Sequence, residues 1–201
     1  MKTNVFFLVV VMIVTSSNIF AQSVCSNEPY KNFGVEMNAG VSFPTSKMAY
    51  AKLNTGLGGE ILLHYNFMPH LGLYGGWGWN QLSADESFAG KEIDFEETGY
   101  IMGLEWKHPL GCTPLSYYVR GAALYNHLEV ENNPQGDIIG DTGHGWGYQL
   151  AAGLNIPLGK NFHLTPGVKF NSLKRDLNFD SNVRALRQNY ISLRVGILYE
   201  F

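Results

Sequence analysis

The sequence predicts an all-β fold, an eight-stranded antiparallel up-and-down transmembrane β-barrel. Three observations carry this reading. After about residue 32 the dominant period of hydrophobicity is two, as in strands with unlike faces. The links between strands alternate strictly between short and long. The face opposite the apolar one carries charges that a water-excluding core would not tolerate.

The chain has 201 residues, enough for one domain. Charged residues make up only 15%, against about 25% in typical soluble domains. A net charge of -3 with no basic run excludes a nucleic-acid partner.

The N-terminus reads as an export signal. Lys2 is followed by the apolar run 5–14, then by Ser16, Ser17 and Asn18, with Ala21-Gln22 as the cleavage junction. The run is shorter than the ~20 residues of a transmembrane helix. Residues 1–21 are therefore expected as signal peptide, 22–32 as a periplasmic N-terminal segment and 33–201 as the barrel.

Strands are expected to start near Phe33, Leu57, Leu71, Thr98, Leu115, Trp146, Phe162 and Tyr190. Each run can supply the ~9–11 residues of a tilted transmembrane strand. The clearest is 146–158. Trp146, Tyr148, Leu150, Ala152, Leu154, Ile156 and Leu158 share one face, and small or polar residues share the other. The run from 162 repeats the pattern, with Phe162, Leu164, Val168 and Phe170 opposed to His163, Thr165, Lys169 and Asn171. Short links fall at 68–70, 109–114 and 159–161; longer polar links fall at 44–54, 83–92, 131–144 and 175–182. Outer-membrane barrels have short periplasmic turns and longer external loops, so the short links and both termini are assigned to the periplasmic side.

Glu36, Glu60, Glu105, Arg120, Lys169 and Arg194 all lie on the less apolar face. Placed in a polar lumen, with the apolar face toward lipid, they form a balanced ionic network that fills the narrow interior of an eight-stranded barrel. Aromatic residues cluster toward both strand ends, as interfacial girdles do.

The terminal stretch 190–201 (YISLRVGILYEF), with Tyr199 and Phe201 on the apolar face, resembles the C-terminal assembly signal of outer-membrane proteins. Residues 33–201 resemble the small eight-stranded porin-like family that includes OmpA transmembrane domains and OmpX. The Ala21-Gln22 junction and Gly-aromatic strands are similar to those of Bacteroidetes members. The resemblance implies an outer-membrane location, with lipid and the barrel-assembly machinery as partners, and leaves any surface ligand unnamed. Some small barrels are lipid A hydrolases or acyltransferases, and the deacylases that resemble this architecture carry a His-x-Ser pair. Here His127 is followed by Leu128-Glu129 and His163 by Leu164-Thr165, which do not match. The expected role is therefore non-enzymatic, structural or surface-interacting, with the lumen closed by an ionic plug. A narrow porin-like channel is the first alternative and a lipid A-modifying enzyme the second. No cofactor is expected. His127 and His144 flank a loop that also holds Asp137 and Asp141, yet no His-x-x-x-His or Cys-x-x-Cys spacing supports a metal site. The same loop carries Ile138 and Ile139, which pack locally or serve as a contact point.

Cys25 and Cys112 fall on the same predicted side of the barrel, in a chain bound for an oxidising compartment. A disulfide between them would tie the N-terminal segment beneath the barrel. Protein purified without reductant is expected to present no reactive thiol; two reactive thiols would overturn the pairing.

Overall fold

The computed structural model describes residues 31–132, 135–179 and 182–201. The expected signal peptide and Cys25 lie outside these residues. The described chain is all strand, turn and loop. In order the strands are β1 (Phe33–Pro44), β2 (Gly56–Met68), β3 (Leu71–Ser87), β4 (Gly90–Pro109), β5 (Ser116–Asn132), β6 (Asp137–Asp141), β7 (Gly145–Pro157), β8 (Phe162–Leu164), β9 (Gly167–Phe179) and β10 (Asn182–Glu200).

Every pairing is antiparallel, and β1 pairs with both β2 and β10, so the sheet closes on itself. The ten segments make eight staves. β8 and β9 are one stave interrupted at Thr165-Pro166, because both pair with β10 in one register: Leu164 with Ile197, and Gly167 with Arg194. Proline has no N–H to give to the ladder. β6 is a short flap that folds back on the outer end of β5. Closure removes the sheet edges and satisfies the backbone internally, which is what allows strands to cross a bilayer.

One end of the barrel holds the C-terminus, the start of β1 and the short links 69–70, 110–115 and 158–161. Cys112 is exposed in the turn at 110–115. Near this end the outward side chains are apolar. Met37, Ile61, Leu104, Met102, Leu150 and Leu193 are all exposed, Met102 to 68%. Aromatic rings rim both margins of this band. Phe33, Tyr65, Tyr199 and Phe201 pack against one another near the termini. Trp77, Tyr100, Tyr125 and Trp146 are successive Cα partners across β3, β4, β5 and β7.

Beyond that second row the sheet continues, and its polarity reverses. On β4 the outward residues pass from Leu104, Met102 and Tyr100 to Thr98, Glu96 and Asp94. The inward ones end on Phe95 and Ile93, both buried. On β10 the outward side passes from Val195, Leu193 and Ile191 to Asn189, Arg187 and Ala185, while Leu186 turns inward. β3, β5 and β9 do the same, burying Leu82, Leu128, Val130, Leu173 and Leu177. The polar links expected at 83–92 and 175–182 are therefore largely strand. β3 and β4 meet across Phe88-Ala89, and β4 and β10 each begin eight residues before the expected starts at Thr98 and Tyr190. Alternation is intact there but its phase is inverted, because these segments stand in water with an apolar interior.

This arrangement predicts a height-dependent cost for an outward charge. Met102→Arg, in the apolar band, should destabilise the barrel by about 2–4 kcal/mol, and Ala185→Arg, beyond the aromatic row, by about 0–1 kcal/mol. Folding equilibria in lipid vesicles titrated with denaturant measure both; equal costs would contradict the placement of the membrane surface.

Candidate functional site

The lumen is the candidate site, built in layers from inward side chains. At the floor, Glu200 on β10 accepts from Lys107 Nζ at 2.6 Å and lies 3.1 Å from His163 Nε2. Above it, Arg120 of β5 bridges two carboxylates. Its Nη2 donates to Glu36 Oε2 at 2.6 Å and its Nε to Glu105 Oε2 at 2.5 Å. Register explains one contact, since Glu105 and Arg120 are Cα partners; Glu36 reaches across the lumen from β1. His64 of β2 joins them, 3.3 Å from Glu36 and 3.8 Å from Glu105. Four ionisable side chains thus meet in a space closed to solvent.

Tyr118 lies 4.1 Å from the Arg120 guanidinium, and Tyr74 flanks it at 5.4 Å. The Tyr118 ring can lie flat because Gly153 and Gly167, Cα partners on β7 and β9, leave it bare backbone. A Cβ at either glycine would collide with the Tyr118 hydroxyl.

The next layer joins Glu60 to Lys169 as an ion pair. Asn38 donates to both Glu36 and Glu60 at 3.2 Å, linking the two layers, and Gln149 Nε2 donates to Glu60 at 2.9 Å.

Arg194 departs from the expectation that each inward charge meets an opposite one. Among the described residues no carboxylate lies within ion-pair distance of it. Its guanidinium donates instead to the carbonyls of Gly40 and Gly58, to Ser42 Oγ at 3.2 Å and to Asn80 Oδ1 at 2.9 Å. The physical reason is local: Gly40 and Gly58 carry no side chain, so the guanidinium reaches the wall itself.

Higher still, Glu97 of β4 is buried and accepts from Tyr190 Oη at 2.8 Å, from Gln188 Nε2 at 3.2 Å and from Asn126 Nδ2. Asn126 in turn accepts from Arg175, which also donates to the carbonyls of Gly145 at 2.6 Å and Trp146 at 2.8 Å. Sequence reasoning missed Glu97, Arg175, Tyr190 and His64, although each keeps the inward parity of a residue it did select: Glu105, Lys169, Arg194 and Glu60.

Above these polar layers the lumen is apolar. Phe95, Leu82, Leu128, Val130, Leu173, Leu177 and Leu186 form one buried cluster. The loop at 45–55 folds over it, held by the Met48–Ala51 bridge, and buries Met48, Ala51 and Leu53 in the same cluster.

Of the other residues selected from sequence, Tyr199 and Phe201 stack with centroids 6.0 Å apart on the outer wall. His127 and His144 are stacked outside the barrel, near Asp141.

A family model described as outer membrane protein beta-barrel domain matches residues 7–201. None of the curated proteins matches the chain. Among solved structures it is similar to Neisserial surface protein A, with a TM-score of 0.61 and 14% identity over 84% of this chain and 97% of that one. It is also similar to OprG of Pseudomonas aeruginosa, with a TM-score of 0.53 and 14% identity over 88% and 99%. Outer membrane protein W of E. coli gives 0.53 at 12% identity over 86% and 100%. At these identities the likeness is one of fold.

The bare glycine wall yields a test of the lower layer. Gly167→Ala should push Tyr118 off Arg120 and cost about 1–3 kcal/mol, as overpacking does. Gly121→Ala, whose Cβ would meet only Leu150 at 3.9 Å, should be near neutral. Denaturant titrations of both variants measure the difference.

Proposed function

The chain belongs to the outer-membrane β-barrel domain family, and we propose that it serves there as a closed, non-enzymatic barrel with a structural or surface-interaction role. The termini and short links face the periplasm, and the water-exposed extension with its flap faces outward. One observation carries the reading: buried side chains occupy the lumen at each level from Glu200 at the floor to Met48 at the top, around one small space among Glu60, Asn80, Glu97 and Arg194. An ion would have to displace the Glu36–Arg120–Glu105 bridge and then cross a layer of Leu, Val and Phe side chains. The first step breaks paired buried charges. The second removes an ion from water with no polar partner on offer.

The non-enzymatic reading draws support from the partners of three wall serines. Ser42 and Ser192 bond to each other at 2.8 Å and surround Arg194, while Ser172 donates to Asn189 at 2.8 Å. A nucleophilic serine instead needs a base within reach.

Planar-bilayer recordings test the closure. The wild-type barrel is expected to show no steady conductance. Arg120→Ala should cost about 3–5 kcal/mol of stability by stranding Glu36 and Glu105, yet stay non-conducting because the apolar layer remains. Steady wild-type conductance would overturn the closed barrel and favour a narrow channel.

A further inference from the structure

Outside the lumen, one cluster on the outward face of β5 stands beyond the aromatic row. His127 and Glu129 are two residues apart on that strand and share its outer face. The flap β6 folds back so that Asp141 is the Cα partner of Glu129. His127 Nδ1 lies 3.3 Å from Asp141 Oδ1 and 3.8 Å from Glu129 Oε1. One donor atom from each of the three lies within 4.8 Å of the other two. Asp141 is itself fixed, accepting from the Gly143 N–H at 2.8 Å. His144 stacks on His127 with ring centroids 4.6 Å apart and planes within 10°, which brings a second imidazole to the cluster.

One of these spacings, at present a His127–Asp141 hydrogen bond, is also that of a metal's donor set. Two ligands each about 2.0–2.1 Å from a tetrahedral zinc stand roughly 3.3–3.4 Å apart, and the His127–Asp141 pair already does. Glu129 needs only a small side-chain adjustment to close the third position.

The surrounding charge gives an independent reason for a cation. Asp94 is the Cα partner of Glu131, and Glu96 that of Glu129, so two carboxylate pairs face each other across β4 and β5. Like charges directly opposite on neighbouring strands are destabilising. A divalent ion at the head of this array offsets the repulsion and clamps β6 to β5.

We propose that His127, Glu129 and Asp141 form a surface site for a zinc-class divalent cation, with the fourth coordination position open toward water. Imidazole beside carboxylates suits a borderline metal; magnesium and calcium prefer oxygen ligands alone. The site holds the flap, and its free position can take one further donor from outside the cell.

Calorimetric titration of the folded, full-length mature barrel in detergent, stripped with chelator, tests the assignment with zinc chloride and with magnesium chloride. One saturable zinc site is expected, with no magnesium heat at the same concentrations. His127→Gln and Asp141→Asn should each weaken zinc by at least about tenfold. His70→Gln should leave it unchanged, although His70 and His108 form a second histidine pair, 4.9 Å apart, at the terminal end. All three substitutions are on the surface, and circular dichroism with heat-dependent gel mobility confirms that each barrel is folded. The site is overturned if wild type shows no saturable zinc binding, if magnesium binds as well as zinc, or if affinity falls with His70→Gln and not with His127→Gln and Asp141→Asn.

Discussion

Parity is the constraint from which the rest of this structure follows. Neighbouring residues on a strand point to opposite faces, and in a closed sheet one face is always lumen and the other always surroundings. A side chain therefore cannot choose its side; it can only be chosen to suit the medium at its height. From the floor to the row Trp77, Tyr100, Tyr125 and Trp146 the outside is lipid, so Leu, Ile, Val and Met face out. Past the row the outside is water, so Glu96, Glu129 and Arg187 face out and Phe95, Leu128 and Leu186 face in. A barrel that rises out of its membrane without losing a strand must invert its pattern at the surface.

The lumen chemistry is the complement of the same rule. Where the outer face must be apolar, the inner one is free to be polar, but it is buried and each charge there needs a partner. Arg120 solves this with carboxylates, Arg194 with backbone carbonyls exposed by glycine, and Glu97 with a phenol and two amides. Where the outer face is polar, the inner one can be apolar, and the lumen closes as an ordinary core beneath Met48.

Much of this was legible in the chain. The alternation at 146–158 and 190–201 located strands, and the six charges on the less apolar face located the interior. The segments at 83–92 and 175–182 read as loops because Ser83, Asp85, Asp176 and Asn178 look like loop residues until Leu82, Ala84 and Leu177 are seen to keep the period. Following the parity of Glu105 through Ile101 to Glu97 would have found the upper polar layer. Other features needed the register itself. Nothing in the string shows that Gly153 and Gly167 lie side by side beneath Tyr118, or that Gly40 and Gly58 open the wall to Arg194. The flap that sets Asp141 against Glu129 is likewise a fact of pairing.

The inversion can be measured directly by site-directed spin labelling along β4 in lipid vesicles. Labels at the outward positions 104, 102, 100, 98, 96 and 94 report collision with dissolved oxygen, which favours lipid, or with a water-soluble nickel chelate. Labels at 104 and 102 should be oxygen-accessible, the two accessibilities should cross between 100 and 96, and a label at 94 should meet the chelate. Oxygen-dominated accessibility along the whole series, or a chelate-accessible label at 102, would contradict the inversion.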